Sequence, residues 1–114
     1  METATHAFAV RLANCEQDFR DACEVRSRAY GHHDPELGPR FGAVEALDTA
    51  DGTVVLLCRD RETGQCMGTA RSQVSGFGPL VLESSLRLPP WLRDRLRAQI
   101  SRLAVVPGAS QLVK

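Results

Sequence analysis

The sequence predicts an α+β domain of the α/β three-layer type, a mixed, mainly antiparallel sheet of about four strands with two to three helices. Three observations predict it. Residues 6–12 alternate between two sets of side chains, as a half-buried strand does. Residues 16–30 carry an apolar stripe at helical spacing. Residues 53–74 read as two strands joined by a polar turn.

The first strand is expected over 6–13, with Phe8, Val10 and Leu12 on one face and Ala7, Ala9 and Arg11 on the other. Asn14 is the expected N-cap of a helix over 16–30. Phe19, Ala22, Cys23, Ala29 and Tyr30 form its apolar stripe, and Arg26 lies on that same stripe. A charge there costs free energy unless it is paired. Either Arg26 snorkels from the edge of the stripe, or it turns inward to meet a carboxylate.

Gly31 to Pro39 reads as a long loop by its Gly and Pro content. A short helix is expected within Arg40 to Leu47, with Phe41, Val44 and Leu47 on one face. Thr53 to Cys58 is continuous and apolar, which suits a central strand covered on both faces. Arg59 to Gly64 is a polar turn, and Gln65 to Val74 is the partner strand. There Met67, Thr69 and Arg71 share one face, while Cys66, Gly68 and Ala70 share the other. Pro89 and Pro90 open a short helix over 90–97. Residues beyond it either continue that helix or form a strand over 99–106. The β-branched pair Val105-Val106 before Pro107 favours the strand.

Fourteen basic and 14 acidic side chains balance, but unevenly along the chain. Residues 1–50 hold five Arg against nine acids; residues 51–114 hold nine basic residues against five acids. The halves either pack together or leave the basic half to bind an anion. At 114 residues the chain suits one domain, and no run approaches the ~18 apolar residues of a membrane span. Met1–Ala13 has no signal-peptide pattern, so a cytoplasmic location is expected. Cys15, Cys23, Cys58 and Cys66 follow no metal-binding spacing and are expected as reduced thiols. No metal site is expected, because the adjacent His32, His33 and Asp34 would not point the same way. Nucleic-acid binding through Arg87, Arg93, Arg95, Arg97 and Arg102 is disfavoured by the neutral net charge and scarce aromatic residues.

Several motifs together carry a family resemblance. Arg26 sits on the first helix, Glu45 and Asp48 precede the second strand, and Gly64–Arg71 reads GQCMGTAR. Ile100–Pro107 reads ISRLAVVP. In this order they resemble the N-terminal half of the GCN5-related N-acetyltransferase (GNAT) fold. The nearest branch is that of the long-chain N-acyl amino acid synthases and the acyl-homoserine-lactone (autoinducer) synthases. The resemblance spans residues 6–112 and implies a single, truncated acyltransferase-like domain.

That resemblance implies an activity: transfer of an acyl group from acyl-carrier protein or acyl-CoA to the amine of a small, amino-acid-like acceptor. No cofactor would be bound permanently. Arg102, Glu45 and Asp48 would be catalytic. Arg26, Arg71, Gln99 and Ser101 would bind substrate, and Leu103, Val105, Gly108 and Ser110 would hold the acyl carrier. Gln99 stands where the family has an acid, so it cannot serve as a base. The family's fold continues past the position of Lys114, which implies an incomplete site and an isolated chain without turnover. The fourth strand would then be an exposed edge, with Ile100, Leu103, Val105 and Val106 offered for pairing. The alternative function is a non-catalytic half-domain or interaction module that forms a homo-oligomer through that edge.

Overall fold

A computed structural model describes residues 7–108. The elements run β1 (Phe8–Leu12), α1 (Glu16–His33), α2 (Leu37–Arg40), β2 (Thr53–Asp60), β3 (Cys66–Val74), α3 (Pro90–Arg93) and β4 (Ala98–Val105). Short 3-10 turns lie at Ala46–Thr49, Ser75–Phe77 and Val81–Ser84. The expected α+β class holds: the four strands form one sheet in the order β1-β2-β3-β4, and every neighbouring pair is antiparallel. No helix among the described residues is long and apolar enough to cross a membrane.

Helix α1 lies across one face of the sheet. Its Ala22, Val25 and Ala29 meet Val55, Leu57, Cys66, Ala104 and Val106 in the core. Small residues on the helix let it approach the sheet closely, and the larger strand residues fill the gap. Each buried Val or Leu contributes about 1.5–3 kcal/mol by leaving water. The segment 79–84 covers the far end of the same face. Val81 N–H donates to Gln73 Oε1 at 3.2 Å, and Leu82 N–H donates to Gln99 Oε1 at 3.0 Å.

Several sequence expectations need correction. The N-cap is Cys15, not Asn14. Asp18 reaches back instead, accepting the Asn14 N–H at 3.1 Å. Helix α1 runs on to His33, so His32 and His33 belong to its last turn rather than to a loop. Gly31 permits this because its Cα side faces Gly38: a Cβ on Gly31 would sit 3.1 Å from the Gly38 Cα. Ser27 Oγ donates to the Gly38 carbonyl at 2.7 Å and fastens the crossing. The short helix expected over 40–47 does not form: α2 ends at Arg40, residues 41–45 are turn and irregular backbone, and a 3-10 turn begins only at Ala46. The final helix stops at Arg93, short of 97.

Strand β2 is covered on one face only, contrary to expectation. Val55 and Leu57 are buried, whereas Val54 is exposed. Alternation in β3 also breaks, because the register shifts between Cys58 and Arg59. Cys66 pairs with Arg59 and Gly68 pairs with Cys58, which leaves Met67 as an extra residue. Cys66 therefore joins the core with Thr69 and Arg71 instead of sharing the Gly68 face.

A second irregularity shapes β4. Thr69 pairs with Ala104 and Arg71 with Ser101, so Arg102 and Leu103 together face the single residue Ala70. Arg102 has φ of 50°, and it is the one non-glycine residue with positive φ among the described residues. The bulge lets Ser101 and Arg102, though adjacent, both reach the α1 side. It also re-phases the remainder of the strand. Ala104 and Val106 are buried, while Leu103 and Val105 are exposed. Val106, expected at an exposed edge, is thus a core residue.

Candidate functional site

Five charged residues from four parts of the chain converge beside this bulge. Arg26 comes from the middle of α1, Glu45 and Asp48 from the 3-10 turn before β2, Arg71 from β3 and Arg102 from β4. Arg26 and Asp48 meet through two hydrogen bonds, Nη1 to Oδ2 and Nη2 to Oδ1, each 2.9 Å. Arg71 Nη1 donates to Asp48 Oδ1 and to Glu45 Oε1, both at 3.1 Å. Arg102 grips Glu45 with Nε to Oε1 at 2.7 Å and Nη2 to Oε2 at 3.0 Å. The inward reading of Arg26 is the one the structure shows.

The turn that carries the acids is built by them. Asp48 Oδ2 accepts the Glu45 N–H at 2.9 Å, and the Asp48 N–H donates to the Glu45 carbonyl at 3.0 Å, which closes the turn. Burial alone would raise the Asp48 pKa, but the Arg26 hydrogen bonds, the Glu45 amide and Arg71 outweigh it and hold the carboxyl below its ordinary value. Glu45 is also lowered, chiefly by its hydrogen bonds from Arg102. Arg102 is raised in turn by Glu45.

The network has a closed interior and an open rim. Arg26, Asp48 and Arg71 are buried, whereas the Arg102 and Glu45 side chains are 32% and 34% exposed. Three guanidinium groups against two carboxylates leave one net positive charge, and its accessible part is Arg102. The Arg102 guanidinium carbon lies 4.9 Å from the centre of the Phe41 ring, and Phe41 meets Tyr30 edge-on at 4.8 Å. Tyr30 Oη donates to the Leu103 carbonyl at 3.1 Å, which ties α1 to the bulge.

The other expected site residues are spread more widely. Ser101 belongs to the cluster, its Oγ accepting from Arg71 Nε at 3.2 Å. Gln99 stands apart, with its Oε1 engaged by Leu82 N–H. Leu103 and Val105 project to the opposite face of the sheet. Val106 N–H donates inward to the Met67 carbonyl at 2.9 Å, so the main chain of Val105 is directed to the open edge of β4. Gly108 lies in the turn after β4 with φ of 87°. Ser110 lies outside the described residues.

A second charged cluster escapes the sequence reading. Asp18 is buried and accepts from Arg11 Nη2 at 2.6 Å and Arg59 Nη2 at 3.0 Å. Arg59 also holds Asp21 at 2.8 Å. The available signal was parity: Arg11 and Arg59 both fall on the helix-facing side of their strands. Arg59, Arg71 and Arg102 all pair with acids of residues 1–50, so the uneven charge distribution is expressed as packing between the halves.

No family model matches the chain, and neither a curated protein nor a solved structure matches it.

Proposed function

We propose that the Glu45–Arg102 rim is the acceptor site of an N-acyltransferase, which takes an acyl group from acyl-carrier protein or acyl-CoA. The observation that carries this reading is the bulge at Arg102–Leu103, which puts the partly exposed Arg102–Glu45 ion pair on the same strand as the outward main chain of Val105. Arg102 holds the carboxylate of an amino-acid-like acceptor by charge-assisted hydrogen bonds. Ionised Glu45 attracts the acceptor's ammonium, and a water takes the proton that must leave before attack. The amine nitrogen then attacks the thioester carbonyl carbon. The outward Val105 amide stabilises the oxyanion, the C–N bond forms, the C–S bond breaks, and the departing thiolate takes the proton that the new amide nitrogen gives up. Arg26, Asp48 and Arg71 act by holding Glu45 and its turn in place. The motifs of the GNAT resemblance, from Arg26 to ISRLAVVP, support the same reading.

Incubation with acyl-carrier protein thioesters or acyl-CoA and a mixture of amino acids tests it. Contrary to the resemblance's implication of an isolated chain without turnover, mass spectrometry should find an acylated amino acid whose yield falls at least ~100-fold in Arg102→Gln. Absence of product, together with no acyl-CoA binding by calorimetry, would remove the enzyme reading. The remaining reading is a non-catalytic interaction module, favoured by one specific observation: every carboxylate of the cluster is already paired with an arginine.

A further inference from the structure

The sheet face opposite α1 is almost wholly apolar. Register places Phe8, Val10 and Leu12 of β1 and Val54, Leu56 and Cys58 of β2 on it. Gly68, Ala70, Ser72 and Val74 continue it on β3, and Ala98, Ile100, Leu103 and Val105 complete it on β4. Among the described residues of this face, Asp60 at one corner is the only charged one and Ser72 carries the only hydroxyl. A water-facing sheet surface ordinarily alternates to polar residues. Here Val10 is 66%, Ile100 61% and Leu103 67% exposed.

We propose that this face packs against the same face of a second copy of the chain, forming a sheet-on-sheet dimer. Its area fits. Four strands at ~4.8 Å spacing and eight residues at ~3.3 Å rise present about 500 Å² per copy. Two such faces bury on the order of 1,000 Å², about the least that a specific interface needs. Its relief is self-complementary as well. Val10 on one side and Leu103 and Val105 on the other flank a cleft of about 220 Å³ floored by Cys58, Gly68 and Ala70. Under a twofold axis the Leu103 ridge of each copy enters the other's small-residue floor. Charge offers no opposition, because the chain is neutral overall and the centre of the face carries none. The acyltransfer reading is independent, since it uses the opposite face and the main chain of β4.

Analytical ultracentrifugation of the full chain from about 1 to 200 μM tests the proposal. The mass should rise from one copy to two across that range. Leu103→Glu should stay monomeric with an unchanged far-UV spectrum, its dissociation constant raised at least ~30-fold. Val10→Lys, across the cleft, should do the same and serves if the first variant fails to fold. Alkylation of Cys58 should slow as wild-type concentration rises, with the exposed Cys15 as internal control. A wild-type monomer at the highest concentration would overturn the proposal. So would a dimer unchanged by both substitutions. Concentration-dependent protection of the outward β4 amides while Cys58 stays open would indicate edge pairing and would equally overturn it.

Discussion

Arg26 and Asp48 face each other through two 2.9 Å hydrogen bonds, and each side chain is only 1% exposed. The pair joins the centre of α1 to the turn before β2, 22 residues away. Removing one partner leaves the other charge buried. Asp48→Ala should therefore lower the unfolding free energy by about 3–5 kcal/mol. Arg71 loses a partner as well, so the effect belongs at the upper end. Urea titration followed by circular dichroism measures it. A loss below about 1 kcal/mol would mean that water reaches this site.

Asp18 sets the acid limit of the fold. Burial opposes its ionisation, but the Asn14 amide, Arg11 and Arg59 overcome that and bring its pKa down from 3.8 to about 2. A depressed carboxyl contributes stability that is present above its unfolded value and is lost as pH falls toward its folded value. The contribution is about 2 kcal/mol at neutral pH and disappears between about pH 4 and pH 2. Asp18→Asn should be less stable at pH 7 and show a shallower stability change across that acid window. Parallel urea titrations at pH 7, 4 and 3 check it.

Backbone conformation at Arg102 separates two substitutions that both abolish its ion pair. A left-handed residue other than glycine costs about 1–2 kcal/mol, and a β-branched one costs more. Arg102→Gly relieves that strain and should stay within about 1 kcal/mol of the parent. Arg102→Val should fall below Arg102→Gly by about 2 kcal/mol or more. Thermal unfolding of the two variants side by side measures the difference. Equal stability would show that β4 has moved out of its bulge.

Gly31 offers a contrast with ordinary helix engineering. Glycine to alanine inside a helix usually stabilises by about 1 kcal/mol. At Gly31 the new Cβ meets the Gly38 backbone at 3.1 Å, where no flexible side chain can yield. Gly31→Ala should be neutral or destabilising by up to about 2 kcal/mol. A gain of stability by chemical denaturation would show that α2 is free to shift away from α1.

Strands and helix were legible in the sequence where one period persisted, as in Phe8–Leu12 and on the stripe of α1. The apolar stripe marked Arg26 but left an outward and an inward side chain equally open, and Glu45, Asp48, Arg71 and Arg102 were joined to it only through the family resemblance. The features that escaped depend on single-residue shifts. Cys66 lands in the core because Met67 is an extra residue, and Val106 does so because Arg102 is. Periodicity carries no mark of either bulge. The run of α1 through Gly31 was hidden because its cause, the contact with Gly38, lies seven residues further along.

The bulge at Arg102 also makes this the one place where β4 can lose a residue without inverting. Deleting Arg102 or Leu103 leaves Ser101 opposite Arg71 and Ala104 opposite Thr69, with a single residue facing Ala70. Ala104 and Val106 would keep their places in the core, and the guanidinium now on Glu45 would be lost. A codon removed elsewhere in the strand exchanges its faces, whereas one removed at the bulge takes away the charge and leaves the packing.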